Sequence, residues 1–515
     1  MRRTPLALVV GSLLGGCMMG PDYKRPDLVL PPTLNASASA PSAAAQPAPG
    51  AKAEAATGSA RATSSDRALA AMPPLATGGA ELLDGAWWSG FGDPHLDALI
   101  ATALAENKDL KAAAHRIDQF AAYLQISKSA GLPQAGYTAS RTRDTLSENR
   151  QVPLVVGAEP VSNNYEFSFV ASWELDLWGK LRRADEAAYA NLVASEEARR
   201  AFAISLVSEV TAGYIRLLSL DRELALLRQT IASLRESLKL AEDRFAGGGS
   251  GEQPVVHAQI LLQDRQAEVP EKQAQITQLE YKLSALTGRN PGRIARAGTL
   301  ADLAVPRVPA GLPADVLVQR PDVRRAEQKL VAANAKIGVA KAQYLPTIAL
   351  TGSTGQASTE LSTLMLLTSN FGSFGVALLG PLFTAGRIEG QVRDAEAGRE
   401  LAAVEFAASV QTALGEVEDS LAAHARAREM ATLRAAQVTT LREQRAVALR
   451  RFEGGYSGYF EVLEAERGLI AGLQLLNQGR REELTTLIAV YKSTGGGWGL
   501  PDVVASRSTP QKTTE

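Results

Sequence analysis

Large aromatic side chains are scarce: Phe, Tyr and Trp together make up 5% of the 515 residues. A thick, compact apolar core is hard to build from that supply, whereas the abundant Ala and Gly suit long helices packed side by side. A single cysteine, Cys17, excludes a disulfide framework and a cysteine metal site. The four histidines, His95, His115, His257 and His424, each fall on a helical pattern with no Cys or carboxylate at ligand spacing, so no metal is expected. With Lys+Arg at 54 and Asp+Glu at 55, the net charge of -1 leaves no basic field for nucleic acid. Beyond the first residues no apolar run reaches the roughly 20 residues of a membrane helix, so any bilayer crossing falls to strands. The run Gly247-Gly248-Gly249-Ser250-Gly251 has no preceding strand and no following Lys, and is a helix-to-helix turn rather than a phosphate cradle. No catalytic cluster and no cofactor motif is found, so the chain is expected not to be an enzyme.

What is present is a long-range repeat. The strand-to-helix joint Trp173-Glu174-Leu175-Asp176-Leu177-Trp178-Gly179-Lys180 returns as Gly380-Pro381-Leu382-Phe383-Thr384-Ala385-Gly386-Arg387, a shift of 207 residues from Gly179 to Gly386. Arg244-Phe245 returns at the same shift as Arg451-Phe452. Upstream, Leu132-Pro133 matches Leu345-Pro346 at a shift of 213, which places six extra residues of the first copy within 146–164, at a strand-to-strand tip where insertions are tolerated. Two tandem strand-helix units are expected.

Each unit opens with a helical pattern, Asp93 to Ala130 and Pro313 to Gln343, the first with Asp93 as N-cap and Pro94 at its first position. The strands follow. In 165–174 the residues Tyr165, Phe167, Phe169 and Trp173 alternate with polar ones, and the 207 shift puts Phe374, Val376 and Leu378 in the same phase. Four strands of about 10 residues are long enough to cross a bilayer when tilted; a soluble sheet with one buried face is the alternative. Leu217, Leu220, Leu224, Leu227, Ile231, Leu234, Leu238, Ala241 and Phe245 step by three or four, a coiled-coil seam. The second copy keeps this step at Val410, Leu414, Val417 and Leu421, but then places His424, Arg434 and Arg445 on it. Four strands cannot close a barrel, and open edges in lipid are costly, so protomers must pool strands; three would give twelve.

The N-terminus reads as an export signal: Arg2-Arg3, an apolar run from Leu6 to Leu14, then Leu14-Gly15-Gly16-Cys17, with Cys17 as the expected lipidation site. The Ala, Ser, Pro and Gly-rich stretch of about 35–80 reads as a linker.

Six motifs in order resemble the TolC-like outer-membrane efflux channels, in particular their OprM and NodT type lipoprotein branch. They are Cys17 with Gly20-Pro21-Asp22-Tyr23, Trp87-Trp88-Ser89-Gly90-Phe91-Gly92-Asp93-Pro94, Asn107-Lys108-Asp109-Leu110, Arg320-Pro321-Asp322-Val323, Gly380-Pro381-Leu382-Phe383 and Gly495-Gly496-Gly497-Trp498. The resemblance implies a mixed α/β membrane protein: a homotrimer whose 12-stranded transmembrane β-barrel is continued by a periplasmic α-helical barrel with an equatorial collar. It implies a passive exit duct for small molecules, partnered by a periplasmic adaptor (membrane fusion protein) and an inner-membrane pump, embedded in outer-membrane lipid and lipid-anchored. A protein-secretion channel, or a periplasmic coiled-coil adaptor or scaffold lipoprotein, is the alternative. The expected layout is a signal peptide at 1–16 and a lipidated segment at 17–92. A first repeat follows at 93–288, with strands at about 134–145 and 165–177 and helices at about 180–245 and 253–287. An equatorial connection at 289–312 leads to a second repeat at 313–494, with strands at about 346–356 and 370–383 and helices at about 387–452 and 460–494, and a tail at 495–515.

Three sets of residues are candidate sites. Tyr165, Phe167, Phe169, Trp173, Phe374, Val376 and Leu378 are expected to face lipid. Arg244, Phe245, Gly247 and Gly248, with Arg451, Phe452, Gly454, Gly455 and Tyr456, form two hairpin tips; they are helix ends with a packed aromatic, or, by the resemblance, the contact for the adaptor. Glu461 and Glu464 lie three apart on one helical face. The resemblance makes them the acidic pair narrowing the inner mouth of the pore; a solvated helix face is the other reading.

Overall fold

The computed structural model describes residues 18–27, 86–147, 161–306 and 315–496. Cys17 with Leu14-Gly15-Gly16, the stretch 35–80, most of the insertion at 146–164, Trp498 and the tail beyond Gly496 lie outside the described residues. A short 3-10 turn, Trp87–Phe91, leads into α1 (Pro94–Glu106), α2 (Lys108–Ala130), β1 (Gln134–Thr145), β2 (Val161–Leu175), α3 (Lys180–Ala246) and α4 (Gln253–Leu286). Then come α5 (Asp315–Gln319), α6 (Pro321–Ala342), β3 (Thr347–Ser358), β4 (Asn370–Leu379), α7 (Arg387–Glu453) and α8 (Tyr459–Ser493). The helices α3 and α7 each run 67 residues without a break.

The contacts group into two compact units. The first holds 18–27, α2 from Ala112, the strands, α6, and the starts of α3 and α7 up to Arg199 and Val410. Its sheet is antiparallel in the order β1-β2-β3-β4, so β1 and β4 are its edges. The register puts Trp173 opposite Leu350, and Leu350 opposite Val376, while Leu175, Ile348 and Leu378 form the next row on the same face. Partners directly opposite share a face, so the apolar phases of β2 and β4 coincide across β3. Beside the sheet, α3 and α6 meet through Ala187, Ala190, Ala332 and Ala335, small residues that bring two backbones close. The strand β4 stops at Leu379, before Gly380-Pro381, where proline has no N–H to give the ladder.

The second unit holds Trp87 to Lys111, the rest of α3, α4, Arg289 to Pro306, α5 with Arg320, the rest of α7, and α8. In it Leu217, Leu220, Leu224, Leu227, Ile231 and Leu234 are buried. Leu227, Ile231 and Leu234 pack with Leu262 of α4, and Leu238 joins them partly covered. Phe245, the last member of the expected seam, is exposed. Within α3 lies a stretch long and apolar enough by composition to cross a membrane, which sequence reading passes over; more than half of it is buried inside the protein.

Two expected helices are interrupted. Asp93 accepts from the His95 and Leu96 amides and Pro94 starts the helix as expected, but it ends at Glu106 and α2 begins at Lys108. Asn107 turns the chain out with ψ 129 and caps α2, its Oδ1 accepting from the Leu110 amide at 2.9 Å. Arg320 separates α5 from α6 in the same way, just ahead of Pro321.

Candidate functional site

The two hairpin tips share one backbone design. The Gly249 amide donates to Arg244 O at 2.8 Å and the Gly248 amide to Phe245 O at 3.0 Å; 207 residues on, the Tyr456 amide donates to Arg451 O at 2.8 Å and the Gly455 amide to Phe452 O at 3.0 Å. This pair of bonds satisfies the last carbonyls of a helix when the residue between takes the left-handed conformation, and Gly248 and Gly455 both have φ 74. Glycine is needed at those two positions. Gly247 and Gly454 precede them, each bonded back to the helix, at Asp243 O and Arg450 O. The side chains differ. Phe245 and Phe452 are exposed, Tyr456 is 82% exposed, and Phe452 leans on Tyr459 with ring centroids 5.2 Å apart.

Glu461 and Glu464 are exposed in the first turns of α8, on either side of the buried Val462 and Leu463. Each has a cationic neighbour that sequence reading misses. Arg451 Nε lies 3.5 Å from Glu461 Oε2, and Arg467 Nη1 donates to Glu464 Oε1 at 2.7 Å. Arg467 is one turn further on the same helix face, a spacing visible in the sequence; Arg451 arrives by chain reversal at the tip. Arg467 Nη2 also donates to Ser237 Oγ at 3.2 Å and Tyr459 OH donates to Glu236 at 2.9 Å, so the first turns of α8 are tied to α3.

On the sheet, Phe374 is 77% exposed, Phe169 57%, and Trp173, Val376 and Leu378 are exposed as well; Tyr165 and Phe167 are half-covered. Phe167 and Phe169 pack edge to face at 5.3 Å. The opposite face carries Thr138, Ser168, Ser172, Ser353 and Ser373. On it Ser168 is 2% exposed: its hydroxyl is 2.8 Å from Thr138 Oγ1, and its backbone so closely approaches Gly355 that a Cβ there would meet Ser168 Cα at 2.6 Å.

Among the described residues no three of His, Cys, Asp and Glu come together as a metal site. His115 pairs with Asp118 on an exposed surface, and His424 sits half-buried with Nδ1 3.3 Å from Thr486 Oγ1. Burial, with help from Arg428, holds the His424 pKa below the ordinary histidine value despite the opposing pull of Glu483.

The model of the family described as "Outer membrane efflux protein" matches residues 99–289 and 312–496. The solvent efflux pump outer membrane protein SrpC of Pseudomonas putida is 31% identical over 490 residues, covering 95% of this chain and 97% of its own. The cation efflux system protein CusC of Escherichia coli is 28% identical over 495 residues, covering 96% and 98%. Among solved structures, the open state of the MtrE outer membrane channel of Neisseria gonorrhoeae superposes with a TM-score of 0.77 at 26% identity, covering 93% of this chain and 98% of that one. A match of this extent leaves one assignment: the chain belongs to the outer membrane efflux protein family.

Proposed function

We propose that this protein is a passive outer-membrane exit duct for small molecules. The observation that carries the reading is the exposed apolar face of a four-stranded sheet whose two edge strands each have, among the described residues, a partner on one side only, in a chain of this family. Three protomers pool their strands into a 12-stranded barrel, with Phe169, Trp173, Phe374, Val376 and Leu378 toward lipid and the Ser and Thr face toward the lumen. The long helices continue the wall into the periplasm, with 289–312 and the chain beyond Thr494 as a collar.

The reading as two tandem copies is supported by three pairs of left-handed glycines, Gly179 and Gly386, Gly248 and Gly455, Gly288 and Gly495, each 207 apart. The domain limits given above follow from it. The tips at Arg244 to Gly248 and Arg451 to Tyr456 meet a periplasmic adaptor, which connects the duct to an inner-membrane pump. Glu461 and Glu464 line the inner mouth, and Cys17 carries the lipid anchor. Relatives named for solvents, toluene, antibiotics and cations favour small molecules over secreted proteins as cargo.

Deleting the chain from its host and measuring intracellular accumulation of a fluorescent dye tests the proposal. Accumulation should rise and fall again on complementation, and heat-resistant oligomers should appear in outer-membrane fractions. Unchanged accumulation against all of a panel of dyes and solvents, with no such oligomer, overturns it.

A further inference from the structure

The described N-terminal residues lie in a built slot. The Met19 amide donates to Trp178 O at 3.0 Å, on the joint between β2 and α3. Arg183, one turn into α3, has a side chain only 3% exposed and makes three bonds into the N-terminal segment: Nε to Met19 O at 3.2 Å, Nη2 to Gly20 O at 3.4 Å and to Asp22 Oδ1 at 2.7 Å. Its remaining nitrogen, Nη1, donates to Glu186 at 2.7 Å. From α6, Asn334 Nδ2 donates to Pro21 O at 2.8 Å, and Glu327 receives Tyr23 OH at 3.2 Å and Arg25 Nη2 at 2.7 Å.

Contacts too close for side chains complete the slot. A Cβ on Gly20 would lie 2.5 Å from Gly338 Cα, one on Gly338 2.5 Å from Met19 O, and one on Gly179 2.6 Å from Met18 Cγ. The matching joint shows that this is not a general need of the fold. Gly386 has the same left-handed conformation as Gly179, yet a Cβ there would meet nothing within 4 Å, and the residue at the place of Arg183 is Gly390.

We propose that Met19–Asp22 is a built-in peptide ligand of the slot formed by Gly179, Arg183, Asn334 and Gly338, and that Arg183 is the positioning residue that fixes the N-terminal attachment point on the β2–α3 joint. The consequence for a lipid rests on the proposed anchor at Cys17, which directly precedes the Met18 that packs against Gly179. Without the segment the buried guanidinium would keep Glu186 and lose its other three partners, so the segment satisfies donors that the slot itself leaves open.

Hydrogen–deuterium exchange on the detergent-solubilised full chain tests it. In the parent, the amides of 18–20 and 22 should be protected, that of Met19, which donates to Trp178 O, above all. In Arg183→Ala their exchange should rise at least about 10-fold, Arg183→Lys should fall between, and the tip amides of Gly249 and Tyr456 should not change. Unprotected 18–22 in the parent, or protection unchanged in Arg183→Ala, overturns the proposal. Where Arg183→Ala gives no oligomer, Asn334→Ala, which deletes one bond to Pro21, should raise exchange at 18–22 about threefold, and no rise there also overturns it. Palmitate labelling of the same variants separates the two readings: absent label in the parent defeats the anchor alone, while the exchange result decides the slot.

Discussion

Asn107 and Arg320 stand 213 residues apart and do the same work with different chemistry: Asn107 Nδ2 donates to Leu286 O at 2.8 Å and Arg320 Nη1 to Ser493 O at 2.7 Å. Leu286 and Ser493 are the final residues of α4 and α8 and are themselves 207 apart. Each break in the shorter helices therefore supplies the donor that an ending helix lacks. Arg320 adds Glu416 Oε2 at 2.6 Å.

Asn107→Ala should lower stability by about 1–3 kcal/mol, because it removes the cap on the Leu110 amide and leaves the Leu286 carbonyl without its donor. Arg320→Met should lose more than Arg320→Lys, since only a cation can still reach Ser493 O and Glu416. Denaturant unfolding of the purified oligomer measures both; equal losses for the two Arg320 variants would show that charge is irrelevant there.

With Glu461 and Glu464 proposed to line the inner mouth, Glu461→Gln with Glu464→Gln should weaken cation selectivity and divalent block in planar bilayers. Because Arg467 partly offsets Glu464, Arg467→Ala should shift the reversal potential under a potassium chloride gradient the opposite way, toward stronger cation preference. Identical reversal potentials in all three proteins would place these residues away from the pore.

Phe169→Arg should impair trimer assembly, at about 2–4 kcal/mol for a charge at mid-bilayer, against about 0–1 for Ser172→Arg on the other face. Ser172 is the right control because it is exposed, whereas Ser168 is packed against Gly355 and would fail for reasons unrelated to lipid. Equal heat-resistant oligomer yields would contradict the facing.

Cys17→Ser should abolish palmitate incorporation while oligomers still form. Label retained on the Ser variant would move acylation elsewhere.

The depressed His424 pKa makes a pH prediction with a definite sign. The folded protein favours the neutral ring, so this contribution is complete above the unfolded histidine value of about 6.5 and is lost as pH falls through the lower folded value. Unfolding should become easier on acidification below about pH 6.5, and His424→Gln should flatten that part of the profile. A parent and variant with parallel pH profiles would remove His424 from the account.

Family and seam were legible because they rest on large residues at fixed spacing. Leu217 to Leu234 announce a buried stripe, and motifs such as Arg320-Pro321-Asp322-Val323 stand out in any context. The second seam was harder to see because its members are small: after Leu421 the step runs through Ala427, Ala431, Val438 and Ala448, all buried, with His424, Arg434 and Arg445 between. The reason lies opposite, where Gly472 and Gly479 let α8 approach so closely that a Cβ on Gly472 would meet Leu441 Cδ1 at 2.4 Å. Hydrophobicity patterns weigh side chains, and here the contact is made by their absence. The breaks at Asn107 and Arg320 escaped for another reason. Helical periodicity continues through both, and only a carbonyl almost 180 residues away in the chain gives each side chain its purpose. The guanidinium beside Glu461 was hidden likewise, since Arg451 reaches it only after the turn at Gly455.

The sheet order β1-β2-β3-β4 has one further consequence, for the journey before assembly. Among the described residues, a single protomer carries an oily patch and a row of backbone groups without a partner strand along the outer side of each of Gln134–Thr145 and Asn370–Leu379. Such a surface invites indiscriminate sticking, so overproduction should yield aggregates of the unassembled chain before it yields more assembled oligomer.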